Sequence, residues 1–215
     1  MEQLKKLVDK NKSGNEIDWK GKKLKNLELA ESYKRLGLKK AYRVEECGTL
    51  LSFKKIEEDL KKLFKANFCK DRLCPMCSWR RSMKVFGQVS KVMDRALEDK
   101  EYRFLFLTLT VKNCTGEELS KAIDKIFNSL KLFFQRKEVK KIVIGYFRWL
   151  EVTYNKDSDT YHPHFHIILM VNKSYFKKSD KYLTQKDWTN LWKDCLKVDY
   201  TPIVNVKAFK TASKG

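Results

Sequence analysis

Residues 103–112 read RFLFLTLTVK, apolar on both faces of an extended chain. A strand of that kind needs a neighbour on each edge, so it belongs inside a sheet. The segments after it alternate in period. GEELSKAIDKIFNSLKLFFQRK (116–137) places Leu119, Ile123, Ile126, Leu130 and Phe133 on one helical stripe. KIVIGYFRWLEVTY (141–154) reads as a second strand, NKDSDT (155–160) as a turn, and HFHIILMVN (164–172) as a third strand. Pro163 lacks the N–H that a ladder needs, which predicts that this strand starts there. TQKDWTNLWKDCLKV (184–198) predicts a helix N-capped by Thr184 with Asp187 three residues on, and PIVNVKAF (202–209) a fourth strand. The expected fold is α+β: an antiparallel sheet in β-α-β-β-α-β order, the split βαβ (ferredoxin-like) pattern.

All three histidines of the 215 residues fall inside YHPHFHIILMV (161–171). Residues two apart share a strand face, so His164 and His166 point one way while Phe165 and Ile167 point into the core. A hairpin closing symmetrically about the Asp157–Ser158 bond sets Glu151 opposite His164 and Trp149 opposite His166. A carboxylate amid the apolar residues of YFRWLEVTY needs a partner. Glu151, His164 and His166 are thus candidate ligands of one divalent cation, Mn²⁺ or Mg²⁺, with positions left open for a phosphate oxygen. An ordinary polar strand face is the weaker account of an H-x-H pair facing an acid.

Four of the six cysteines lie within residues 46–100. CKDRLCPMCSWRR supplies Cys69, Cys74 and Cys77, and Cys47 in EECGTL is followed by the glycine that such turns favour. This spacing predicts a closed Cys₄ site for a structural Zn²⁺. Cys114 and Cys195 sit at apolar positions and read as core. A basic helix, SWRRSMKVFGQVSKVMDRAL, follows Cys77. Lys and Arg number 47 against 27 acids, a formal charge of +20 that selects a polyanionic partner, nucleic acid first. Arg72, Arg80, Arg81 and Lys84 are the candidate DNA contacts. The sequence carries no apolar run long enough to cross a bilayer and its start lacks the apolar centre of a signal peptide, so a cytoplasmic protein without membrane partners is expected. Three segments are expected: a basic helical or loosely ordered arm (1–45), the zinc segment with its basic helix (46–100), and the sheet domain (101–215).

FLFLTLTVKN, YHPHFHIILMV and the preceding NFCKDRLCPMCSWRR together resemble the Rep initiators of rolling-circle plasmids from Gram-positive bacteria, within the HUH endonuclease superfamily. The resemblance spans roughly residues 45–210. It implies a plasmid-encoded protein that binds single-stranded or cruciform origin DNA, works with host replication proteins, and nicks one strand. It also implies that His164 and His166 bind the metal with Phe165 between them, and that Glu151 is the acidic ligand. In that family a tyrosine attacks the phosphate, forms a 5′-phosphotyrosine link and frees a 3′-OH. It sits on a helix after the last strand, together with a glutamate that activates water.

Here the chain departs from the family pattern. Only KTASKG follows Phe209, with no tyrosine and no glutamate, so the expectation is a core cut short before its nucleophile helix. Tyr200 precedes the final strand and is not expected to serve. Two other classes remain: a non-catalytic zinc-dependent DNA-binding protein, and a metal-dependent nuclease that activates water.

Overall fold

The computed structural model describes residues 8–11, 14–58, 60–99, 102–177 and 182–209. It divides into two compact units, Met1–Ser90 and Lys91–Gly215.

The first unit contains β1 (Val8–Asp9), α1 (Trp19–Arg35), α2 (Ala41–Glu45), β2 (Leu51–Lys55), β3 (Leu60–Ala66) and the N-terminal part of α3 (Pro75–Glu98). The strands form a small sheet in the order β1-β3-β2, with β1 parallel and β2 antiparallel to β3. Asp18 caps α1 by accepting the Gly21 N–H at 2.7 Å. Pro75 opens α3, where its missing N–H costs nothing.

Of the helical or loosely ordered arm expected, residues 19–45 take the helical form, and their helices are packed rather than loosely held. Ala30 and Tyr33 of α1 and Ala41 and Val44 of α2 are buried in one cluster with Cys47, Cys69, Cys74 and Cys77. The division expected at 45/46 therefore falls inside a packed core. Long-range polar pairs accompany this burial: the Tyr33 hydroxyl donates to Asp71 Oδ1 at 3.1 Å, and Lys40 meets Asp71 at 3.0 Å. Lys23 Nζ donates to the Glu45 carbonyl and, at 2.9 Å, to that of Cys47.

The second unit contains β4 (Tyr102–Thr110), α4 (Leu119–Gln135), α5 (Lys137–Lys140), β5 (Val143–Asn155), β6 (Thr160–Asn172), a 3₁₀ turn (Lys173–Phe176), α6 (Gln185–Leu196) and β7 (Val204–Ala208). Its sheet runs β5-β6-β4-β7 with every neighbouring pair antiparallel. Leu105, Leu107 and Leu109 of β4 and Phe165, Ile167 and Leu169 of β6 face α4 and α6. There they meet Ile126, Leu130, Phe133, Trp188 and Trp192. Burying each such side chain contributes about 1.5–3 kcal/mol. The capping box of α6 forms as the sequence predicts, Thr184 and Asp187 each bonding the other's backbone N–H. Cys114 and Cys195 are buried.

β6 does not start at Pro163. It starts at Thr160, and Pro163 pairs with Val152 inside the strand. On its other side the β4 ladder ends at Thr110–His164, and an isolated bridge joins Cys114 to Tyr161. Tyr161 turns its N–H and C=O toward Cys114, and Pro163, two residues on, turns the same edge toward the gap. No donor is needed there, so a proline fits mid-strand.

Candidate metal centres

The opposite face of the large sheet carries the histidines. β5 and β6 pair in the symmetric register, Glu151 with His164 and Trp149 with His166. Alternation then puts all four side chains on the face away from α4 and α6. Glu151 Oε2 lies 3.1 Å from His166 Nε2 and 3.7 Å from His164 Nε2. One ligand atom from each of the three residues falls within 4.8 Å of the others. Neighbouring ligands of an octahedral cation with bonds of about 2.1 Å stand about 3 Å apart, so the set is nearly closed around one ion.

Hydrogen bonds orient both rings. His164 Nδ1 meets the His162 carbonyl at 3.0 Å. A carbonyl only accepts, so Nδ1 carries a proton and Nε2 is the nitrogen turned toward the carboxylate. A divalent cation between that nitrogen and the carboxylate would be bound by both. His166 Nδ1 meets Thr108 Oγ1 at 3.1 Å, and a hydroxyl serves either tautomer. The His166 ring is also held between Phe106 and Trp149, centroids 5.3 and 5.2 Å away. Burial, then the neighbouring His164, pushes His166 below the usual imidazole range, against the pull of Glu151. His164 is buried while the Glu151 side chain is 47% exposed, so the site opens on its Glu151 side. His162 is turned away to Asn113, its Nδ1 2.8 Å from Oδ1, and stays outside the cluster.

The second cluster joins Cys47, Cys69, Cys74 and Cys77, all buried. Sγ–Sγ distances of 3.6 Å link Cys47 to Cys77, Cys69 to Cys77 and Cys74 to Cys47. Four sulfurs at about 2.3 Å from a tetrahedral zinc stand about 3.8 Å apart, so the cage has the right size. Backbone N–H groups point at the sulfurs: Cys69 to Cys47 Sγ at 3.4 Å, Lys70 to Cys77 Sγ at 3.2 Å, Asp71 to Cys69 Sγ at 3.4 Å. Such donors favour thiolates. Burial pushes the Cys47 thiol up and the Cys74 thiol up to about 11. At Cys69 burial is outweighed by the Asp71 N–H and the adjoining sulfurs, and its thiol is held low. The Cys74 thiol donates to the buried Asn26 Oδ1 at 2.8 Å, a proton that a bound metal would displace.

Arg72 is exposed in the loop between Cys69 and Cys74. Arg80, Arg81 and Lys84 line one cleft in the first unit, with Phe68 and Lys70. Sequence reasoning missed Thr108, Phe68 and Lys70. Thr108 pairs with His166 across β4–β6, which only the strand order could reveal.

A family profile described as replication protein matches residues 60–215. The chain is 46% identical over 213 residues to "Protein rep" of Streptococcus pneumoniae, covering 97% of this chain and 67% of that one. It is 45% identical to "Protein rep" of Bacillus amyloliquefaciens, over 95% of this chain and 62% of the other. With "Protein rep" of Staphylococcus aureus it shares 41% over 170 residues. The chain spans about two thirds of the length of the first two relatives. No solved structure matches it. Among the described residues no helix is long and apolar enough to cross a membrane. The profile match and these identities over most of the chain establish that it belongs to the Rep family of replication proteins.

Proposed function

We propose that this protein initiates plasmid rolling-circle replication in the cytoplasm. It binds single-stranded or cruciform origin DNA, nicks one strand and hands the new end to host replication proteins. The observation that carries the reading is the convergence of Glu151, His164 and His166 on one open sheet face. The sheet order β5-β6-β4-β7 supports an HUH-type, ferredoxin-like core.

Glu151, His164 and His166 would hold Mn²⁺ or Mg²⁺, and the ion supplies charge that polarises the scissile phosphate. Two hydrogen-bond partners orient the rings for this: the His162 carbonyl for His164 and the Thr108 hydroxyl for His166. Phe106 and Trp149 pack against the His166 ring and exclude water from its faces. Arg72, Arg80, Arg81 and Lys84 contact DNA phosphates. Cys47, Cys69, Cys74 and Cys77 hold a structural Zn²⁺. Nicking itself is attack of a tyrosine oxygen on phosphorus, with the 3′ oxygen leaving as a free 3′-OH and the 5′-phosphate joined to the tyrosine.

We assign that tyrosine to no position in these residues. The Tyr200 hydroxyl accepts the Lys112 N–H at 3.2 Å, and the Lys112 ammonium lies 4.4 Å from its ring. The test is incubation with Mn²⁺ and single-stranded origin DNA, followed by denaturation and peptide analysis. We expect DNA and Mn²⁺ binding without a covalent adduct, and an adduct once the additional sequence of the longer relatives is supplied. An adduct on Tyr200, or on any tyrosine of residues 1–215, would overturn the assignment. Cleavage with no adduct in the extended protein would favour water as the nucleophile.

A further inference from the structure

We propose that the cleft between the end of β3 and the first turns of α3 binds one unpaired nucleotide of single-stranded DNA, its base on Phe68 and its phosphates among Lys70, Arg80, Arg81 and Lys84. This rests on the initiator reading and adds to it a site that selects unpaired DNA. The cleft measures about 510 Å³ and has no acidic residue in its lining. Small-molecule clefts span about 300–1,000 Å³, so there is room for a nucleotide. Among the described residues no salt bridge or side-chain hydrogen bond engages any of the four cations, although acids are available elsewhere in the unit. Four uncompensated positive charges around one concavity raise the local potential for a polyanion.

The cleft also holds an apolar plane. Phe68 is half-buried, and the Arg80 guanidinium stands 4.7 Å from its ring centroid. The guanidinium lies over the ring, a flat group on an aromatic face, and a splayed base would take its place there or stack on its outer side. A base within a duplex is already stacked on both faces and cannot present one here. The floor is rigid. Lys70 is held at φ 62° while its N–H bonds Cys77 Sγ at 3.2 Å, so the cysteine loop fixes one cation of the rim.

The test is fluorescence anisotropy with a short labelled single strand and its duplex, in buffer without Mn²⁺ or Mg²⁺, so that nothing is cleaved. Phe68→Ala is expected to weaken single-strand binding about tenfold and to leave duplex binding unchanged. Phe68→Trp restores it. Lys70→Asn, which tolerates the left-handed backbone, lowers the slope of log affinity against log salt by about one on the single strand. Zinc content of each variant reports that the fold is intact. Equal weakening of single strand and duplex by Phe68→Ala, or none on the single strand with zinc retained, overturns the proposal and leaves the initiator reading standing. Wild-type protein that binds neither DNA overturns both.

Discussion

The two clusters of ligating side chains are built on opposite plans. The cysteines sit in loops and at a helix start, buried, with backbone N–H groups directed at three of the sulfurs. The histidines sit mid-strand, already fixed by the sheet ladder, with their acid half exposed. In the first plan an ion would join loops from three parts of the chain through one closed set of sulfurs. In the second the ion needs the protein, because the sheet stands without it. A closed set suits structure and an open one suits chemistry.

The largest effect should come from the closed cluster. Cys74→Ser is expected to lose the zinc and, with it, the cooperative fold of residues 19–90, while strands β4 to β7 stay protected in amide exchange. Metal binding and folding are the same free energy in such sites. Full zinc occupancy in a Cys74→Ser, Cys77→Ser double variant would break the contrast at once. Glu151→Gln should do the reverse. Mn²⁺ affinity, read by titration, should fall by more than about a hundredfold, beyond the loss expected when a group that only orients a ligand is removed. Stability should move by no more than about 0.5 kcal/mol, because the side chain is on the surface. A large drop in melting temperature would show that the carboxylate holds the sheet rather than an ion. Thr108→Val sharpens the same point one step out. It leaves all three ligands but frees the His166 ring, and Mn²⁺ should bind about 10–100-fold more weakly. Unchanged affinity would mean that Phe106 and Trp149 alone set the ring. The smallest effect is the control: Thr184→Ala removes half of a capping box and should cost about 1 kcal/mol in thermal unfolding, with neither metal affected.

How much the sequence reveals follows the range of the interactions. The Glu151–His164 register is legible because a short turn transmits it directly, and no bulge lies between that pair and the turn. The α6 capping box is legible for the same reason: its partners are three residues apart. The β2–β3 hairpin is not. Its strands are short and lysine-rich, and they set Lys54 against Lys62 and Lys55 against Lys61, which no propensity favours. Nor is the packing of α1. Its buried face is only Asn26, Ala30 and Tyr33, and the groups they meet lie far along the chain. Pro163 misleads because proline marks a strand end unless the neighbour it would donate to is missing. That absence belongs to the sheet rather than the sequence.

The spacing of the sulfurs carries one more consequence. Cys47 has two other sulfurs at 3.6 Å, and so does Cys77. A disulfide needs about 2.05 Å, a small collapse from that separation. A coordinated ion keeps each sulfur committed to it, whereas a stripped cluster offers an oxidant several partners within reach. A zinc ion bound there would thus act as a protecting group, guarding the cluster against mispaired sulfur as well as holding it together.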